Sequence, residues 1–150
     1  MEKEFVTYEL AFRMKLLGFD EPCFGLFENK KLGFSFAVGD ELITPIKYRC
    51  NSKFVKNILT EDCCTAPTWQ SAFDWFGEKY QLYASVVVDQ TSYPKYAYEI
   101  SRFIGNPKDL TEEEWDWDSM IFSPSLYRTT IEARLYCLTE LLNFVEEKDL

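Results

Sequence analysis

The chain contains no histidine, and that single absence removes several chemistries at once. A Ser-His or Cys-His nucleophile pair cannot be assembled. A zinc site would have to use thiolates and carboxylates alone. The five cysteines do not suggest one: Cys63 and Cys64 are adjacent, Cys23, Cys50 and Cys137 stand apart, and no Cys-x-x-Cys occurs. Their odd number is not a secreted disulfide framework, so reduced thiols in a cytoplasmic protein are expected. Glycine is scarce, and Gly33, Gly39 and Gly105 are isolated, so no phosphate-cradling loop is present. No apolar run approaches the length of a membrane span, and the start, Met1-Glu2-Lys3-Glu4, lacks an apolar signal region. Basic residues are outnumbered 16 to 25, a net charge of −9, which argues against general nucleic-acid binding and against anionic membranes. A carboxylate-pair hydrolase or a Lys or Tyr acid–base site stays formally open. No spacing selects such residues, however, so the reading leans away from an enzyme and expects no cofactor and no metal.

What is present is ample apolar material. The 150 residues fit a single domain, 1–150, long enough to bury a core without disulfide or metal support. Aromatics reach 17%, more than such a core needs, so some are expected at the surface, either as a partner surface or as caps on core edges.

The first helix is read from Thr7 as N-cap to Gly18 as stop. Leu10, Met14 and Leu17 share one face, and Tyr8, Phe12 and Leu16 form a second apolar line. Residues 22–27 and 32–38 read as a hairpin around Asn29-Lys30-Lys31, with Phe24, Leu26, Phe34 and Phe36 as inward candidates. Gly25 and Gly33 inside these runs hint at a bulge or a close crossing. Residues 42–48, interrupted by Pro45, suit an edge strand, and Asn51 or Ser52 is placed to cap a short helix bearing Phe54, Val55, Ile58 and Leu59. Lys47, Arg49, Lys53 and Lys56 make this the one locally basic region. A solvated charged face and an anion site both fit it.

The most distinctive stretch is residues 66–80. Pro67 suits a first helical position, and Trp69, Ala72, Phe73, Phe76 and Tyr80 fall on one helical stripe. Trp75 lies on its flank near Lys79, either covering a strand or at the surface. Residues 82–88 and 95–104 form the clearest hairpin. Arg102 is the exception in the apolar row Tyr96, Tyr98, Ile100 and Ile104. Residues 105–125 read as a long loop. Within it Thr111 and Glu114 make a capping box, and Trp115, Asp116, Trp117 and Asp118 form an acidic aromatic patch without the calcium-loop pattern. Thr129 with Glu132 opens a last helix whose apolar face is Ile131, Leu135, Leu138, Leu142 and Val145. The expected fold class is α+β: an antiparallel sheet with helices on one face, arranged as two helix-then-hairpin units plus a C-terminal helix.

Residues 5–11, 17–23, the 66–80 helix and 129–142 together resemble small proteins common in Bacteroidetes phages and mobile elements. The resemblance covers the three helices, about half the chain, and leaves out 39–63 and 105–125. It implies a phage or mobile-element setting in the cytoplasm of a bacterial host, and no particular activity.

The function expected is therefore that of a non-catalytic binding protein acting on a protein partner through Trp115, Asp116, Trp117 and Asp118, with Trp75 and Tyr93 as neighbours. The alternative, different in class, is a binder of a small nucleotide-type signal through Lys47, Arg49, Lys53, Lys56 and Arg102.

Overall fold

The computed structural model describes residues 2–34, 51, 63–89, 95–104 and 116–148. The edge strand expected at 42–48, the helix after 52 and the capping box at Thr111 lie outside them.

Helix α1, Tyr8–Leu16, starts where expected, although Thr7 caps it by its extended backbone and makes no side-chain cap bond. Its end is a full reversal. Gly18 has φ 88, Gly18 N–H donates to Lys15 O at 3.0 Å, and Phe19 N–H donates to Met14 O at 2.9 Å. Those paired bonds satisfy carbonyls the helix would otherwise leave open, and only glycine takes that backbone without strain. Leu10, Ala11 and Met14 are buried, whereas Leu16, expected on a second packing line, is 72% exposed.

Strands β1, Gly25–Glu28, and β2, Lys31–Phe34, pair antiparallel with Glu28 opposite Lys31. The turn is therefore two residues long, shorter than expected. Asn29 and Lys30 occupy it at φ 50 and φ 63, the mirror-image turn whose twist matches the strands. Asparagine tolerates that backbone, but lysine in place of glycine costs on the order of 1 kcal/mol. Strand β3, Cys64–Ala66, pairs with β1 on its other side, giving the order β2-β1-β3.

The inward phase of β1 is opposite to that expected: Gly25 and Phe27 are buried, whereas Phe24, Leu26 and Phe34 are half-buried. Phe36 is outside the described residues. The close approach at Gly25 explains the phase, since a Cβ there would lie 2.9 Å from Phe5 Cε1 and 3.1 Å from Ala66 Cβ. Phe5, Phe24 and Phe34 then cluster edge-on and stacked around that spot, with ring centroids 5.2 to 6.0 Å apart. Gly33 meets nothing closer than Leu26 O at 3.9 Å, so no tight crossing occurs there.

Helix α2, Trp69–Tyr80, begins two residues later than Pro67 suggested. Thr68 is its cap, the hydroxyl accepting from Ser71 N–H at 3.2 Å. It ends at Gln81, whose φ is 57 and whose N–H donates to Gly77 O at 3.0 Å. By its contacts the chain falls into two compact units, Met1–Ala72 and Phe73–Leu150, divided within α2.

In the second unit, β4, Leu82–Asp89, and β5, Lys95–Ile104, run antiparallel in unbroken register from Leu82 opposite Arg102 to Asp89 opposite Lys95. The segment expected to be loop contributes a third strand, β6, Asp116–Phe122, beside β5. Its register slips by one residue between Ile100 and Ser101, a bulge that leaves Met120 without an opposite number. Helix α3, Thr130–Glu147, opens with the expected capping box: Glu132 N–H donates to Thr129 Oγ1 at 3.1 Å, and Glu132 Oε2 accepts from Thr129 N–H at 3.2 Å. It packs on β4 and β5, burying Ala133, Cys137, Leu138, Leu141, Leu142 and Val145 with Leu82, Tyr98 and Ile100. Each large apolar side chain so covered contributes roughly 1.5–3 kcal/mol. Among the described residues the fold is thus α+β, with two antiparallel three-stranded sheets, two helix-then-hairpin runs and a C-terminal helix. No described helix is long and apolar enough to cross a membrane.

Candidate functional site

The second sheet has two unequal faces. Residues directly opposite one another in an antiparallel pair point the same way. One face therefore carries Leu82, Ala84, Val86, Tyr98 and Ile100, the side covered by α3. The other carries Tyr83, Ser85 and Val87 on β4, Ala97, Glu99 and Ser101 on β5, and Phe122 opposite Glu99 on β6. On it Phe122 is 66% exposed and Val87 45%. Tyr83 is exposed to the same 45%, although its ring edge lies against Gly77, where a Cβ would sit 3.0 Å from Tyr83 Cε1. Phenylalanine is among the residues most often buried, and one left two-thirds in water on a sheet face is the informative kind of exposure.

The residues expected to form a partner surface are divided by the structure. Trp115 and Tyr93 are outside the described residues. Asp116, Trp117 and Asp118 open β6 and stand in register with Ile104, Phe103 and Arg102. Trp75 needs correction: it is 5% exposed and cannot serve as an accessible contact. Its ring stands edge-on to Phe76 at 5.0 Å and to Tyr80 at 5.4 Å, and the Lys79 ammonium sits 4.9 Å above it. A helical position outside the apolar stripe is still buried when its own neighbours at i+1 and i+5 are aromatic and a lysine stem folds over it. Of the alternative anion contacts, Lys47, Arg49, Lys53 and Lys56 are outside the described residues. Arg102 is exposed, and its register partner across β6 is Asp118. That pairing brings one residue of each expected site to the same rung of the sheet.

The sequence concealed the strand at 116–122 behind its charge. Asp and Trp alternate there, and an alternation of period two is itself a strand signal. The acidic composition had pointed to loop instead.

A second concave feature lies in the first unit. A cleft of about 530 Å³ is lined by apolar Phe5, Val6, Phe27 and Leu32 and by polar Thr7, Lys30 and Lys31. Lys30 also places its ammonium 5.7 Å from the Tyr8 ring. The sequence places both lysines at a hairpin turn around residues 29–31, where they carry no site signal of their own.

The reactive groups are quiet. Cys23, Cys63, Cys64 and Cys137 are buried and free, and Cys50 is outside the described residues. Burial pushes the Cys64 and Cys137 thiols up to about 12, although Lys15 near Cys64 acts the other way. They are poor nucleophiles. Among the described residues no group of Cys, Asp and Glu could hold a metal ion. Tyr98, Tyr127 and Tyr136 stack in sequence from core to surface, with centroids 6.0 and 4.8 Å apart. Burial raises the Tyr98 and Tyr127 phenols, so both stay protonated and act as packing.

Comparison with protein-family models, with curated proteins and with solved structures found no match to this chain.

Proposed function

We propose that this is a non-catalytic binding protein that engages a protein partner through the face of the β4-β5-β6 sheet opposite α3. The observation that carries the reading is the exposure of Phe122, Tyr83 and Val87 among Ser85, Glu99 and Ser101 on the face opposite α3. Exposed aromatic and apolar side chains within a polar surround have the composition of an interface centre and rim. The charge of −9 favours a partner that is basic around an apolar spot, because like-charged surfaces repel on approach. The acidic start of β6 would then be its flank. A phage or mobile-element setting rests on the resemblance of the helices alone.

A photo-crosslinking residue at position 122, with the same residue at position 28 in the first unit as a control, tests the reading. The expected result is one defined protein adduct from position 122, none from position 28, and loss of the adduct at high salt or on Val87→Ser. No adduct from host extract, or an adduct with a second copy of this chain alone, would sink it.

A further inference from the structure

The cleft in the first unit has a chemistry of its own, independent of the sheet face. At about 530 Å³ it falls in the size range of small-molecule sites. Its apolar lining is Phe5, Val6, Phe27 and half-buried Leu32. Its charged lining, among the described residues, is Lys30 and Lys31, with no carboxylate, in a chain where acidic residues outnumber basic ones 25 to 16. The nearest acid in the register is Glu28, opposite Lys31 across the hairpin.

Lys30 adds a separate observation. It holds φ 63 at the second central position of a two-residue turn, where glycine is the favoured residue. The fold would be better served by glycine there. A strained backbone that persists at a residue lining a cleft points to use of its side chain.

We infer that the cleft binds one small anionic amphiphile: a flat ring system or short chain lying over Phe5, Phe27 and Leu32, with one carboxylate, sulfonate or phosphate held by Lys30 and Lys31. A lining that joins two lysines to apolar side chains can recognise both halves of such a molecule, and either half alone would bind poorly.

The test uses the full chain carrying Val87→Ser and Phe122→Ser, so that the exposed sheet face does not take up probe. Anilinonaphthalene sulfonate is titrated by fluorescence, with the uncharged phenylnaphthylamine as its neutral counterpart. The expected result is a single saturable site for the sulfonate, at least tenfold tighter than for the neutral probe, and displacement by decanoate but not by decanol. Lys30→Gln keeps the turn and removes the charge, and is expected to weaken the sulfonate at least tenfold. Lys30→Gly is expected to do the same while raising the melting temperature, which separates loss of the site from loss of the fold. Unchanged affinity in both Lys30 variants, or equal binding of the neutral probe, overturns the inference. Sedimentation with phosphatidylglycerol vesicles in the absence of any decanoate competition would assign the cleft to a lipid surface and overturn it equally.

Discussion

Asn51 Oδ1 accepts a hydrogen bond from the backbone N–H of Thr65 at 2.9 Å, while its Nδ2 donates to Phe19 O at 2.6 Å. Asn51 is buried, and so are both partners. One amide therefore ties the residue after the α1 reversal to the middle of β3. A buried backbone donor or acceptor left without a partner costs about 1–3 kcal/mol. Asn51→Leu strands one of each, so it is expected to destabilise the protein by about 2–4 kcal/mol in urea unfolding. A loss under 1 kcal/mol would mean that water reaches the vacated groups.

Thr65 presents the opposite case on its own side chain. Its backbone N–H is satisfied by Asn51, but its hydroxyl is buried with no hydrogen-bond partner among the described residues. Valine has the same shape without the oxygen, and removing an unpaired buried polar atom is neutral or favourable. Thr65→Val is expected to raise stability by about 1 kcal/mol. A fall of that size in the midpoint free energy would reveal a partner for the hydroxyl.

These two residues also mark where sequence reading reached its limit. Periodicity and caps located α1, α2, the β4-β5 hairpin and α3, because those signals act within a few residues and survive into the fold. Asn51, or Ser52 beside it, reads as a helix cap, since a small polar residue before an apolar run has that local use. Its actual partners, Phe19 and Thr65, lie 32 and 14 residues away, and no local pattern encodes them. The inward phase of β1 was lost in the same way, because Phe5 packs on Gly25 from another segment. For the site, exposure was the missing quantity. Trp75, read as either covering a strand or lying at the surface, is buried, whereas Phe122, unremarked in a supposed loop, is 66% exposed.

Gly77 and Tyr83 offer a test of packing against propensity. Glycine within a helix costs about 1 kcal/mol relative to alanine. An added Cβ at Gly77 would stand 3.0 Å from Tyr83 Cε1 and 3.2 Å from Cδ1, so the ring must yield. Gly77→Ala alone is expected to gain less than 0.5 kcal/mol, while Gly77→Ala in a Tyr83→Ala background should recover the full helix preference of about 1 kcal/mol. The quantity to measure is the coupling in a double-mutant cycle by chemical denaturation. Strict additivity would mean that the ring moves aside without cost.

Cys137 makes alkaline stability predictable. Burial against α3's neighbours, with Glu140 adding to the effect, lifts its thiol from an ordinary value of 9.0 to about 12. Below pH 9 the thiol is protonated in folded and unfolded chains alike, and pH has no leverage through it. Between pH 9 and 12 the unfolded chain releases the proton while the folded chain keeps it. Unfolding is therefore favoured as pH rises, and the contribution is lost progressively through that window. At pH 10.5 one such thiol removes about 2 kcal/mol relative to pH 8. Cys64, lifted to about 12 chiefly by burial, acts in the same direction, so the wild-type curve falls for both. Cys137→Ala starts less stable at pH 8 because it leaves a small void. Its decline from pH 8 to pH 10.5 is nevertheless expected to be shallower than wild type by about 2 kcal/mol, read from urea midpoints at each pH. Parallel curves for the two proteins would show that the Cys137 thiolate is tolerated in place, and that the core around α3 admits water.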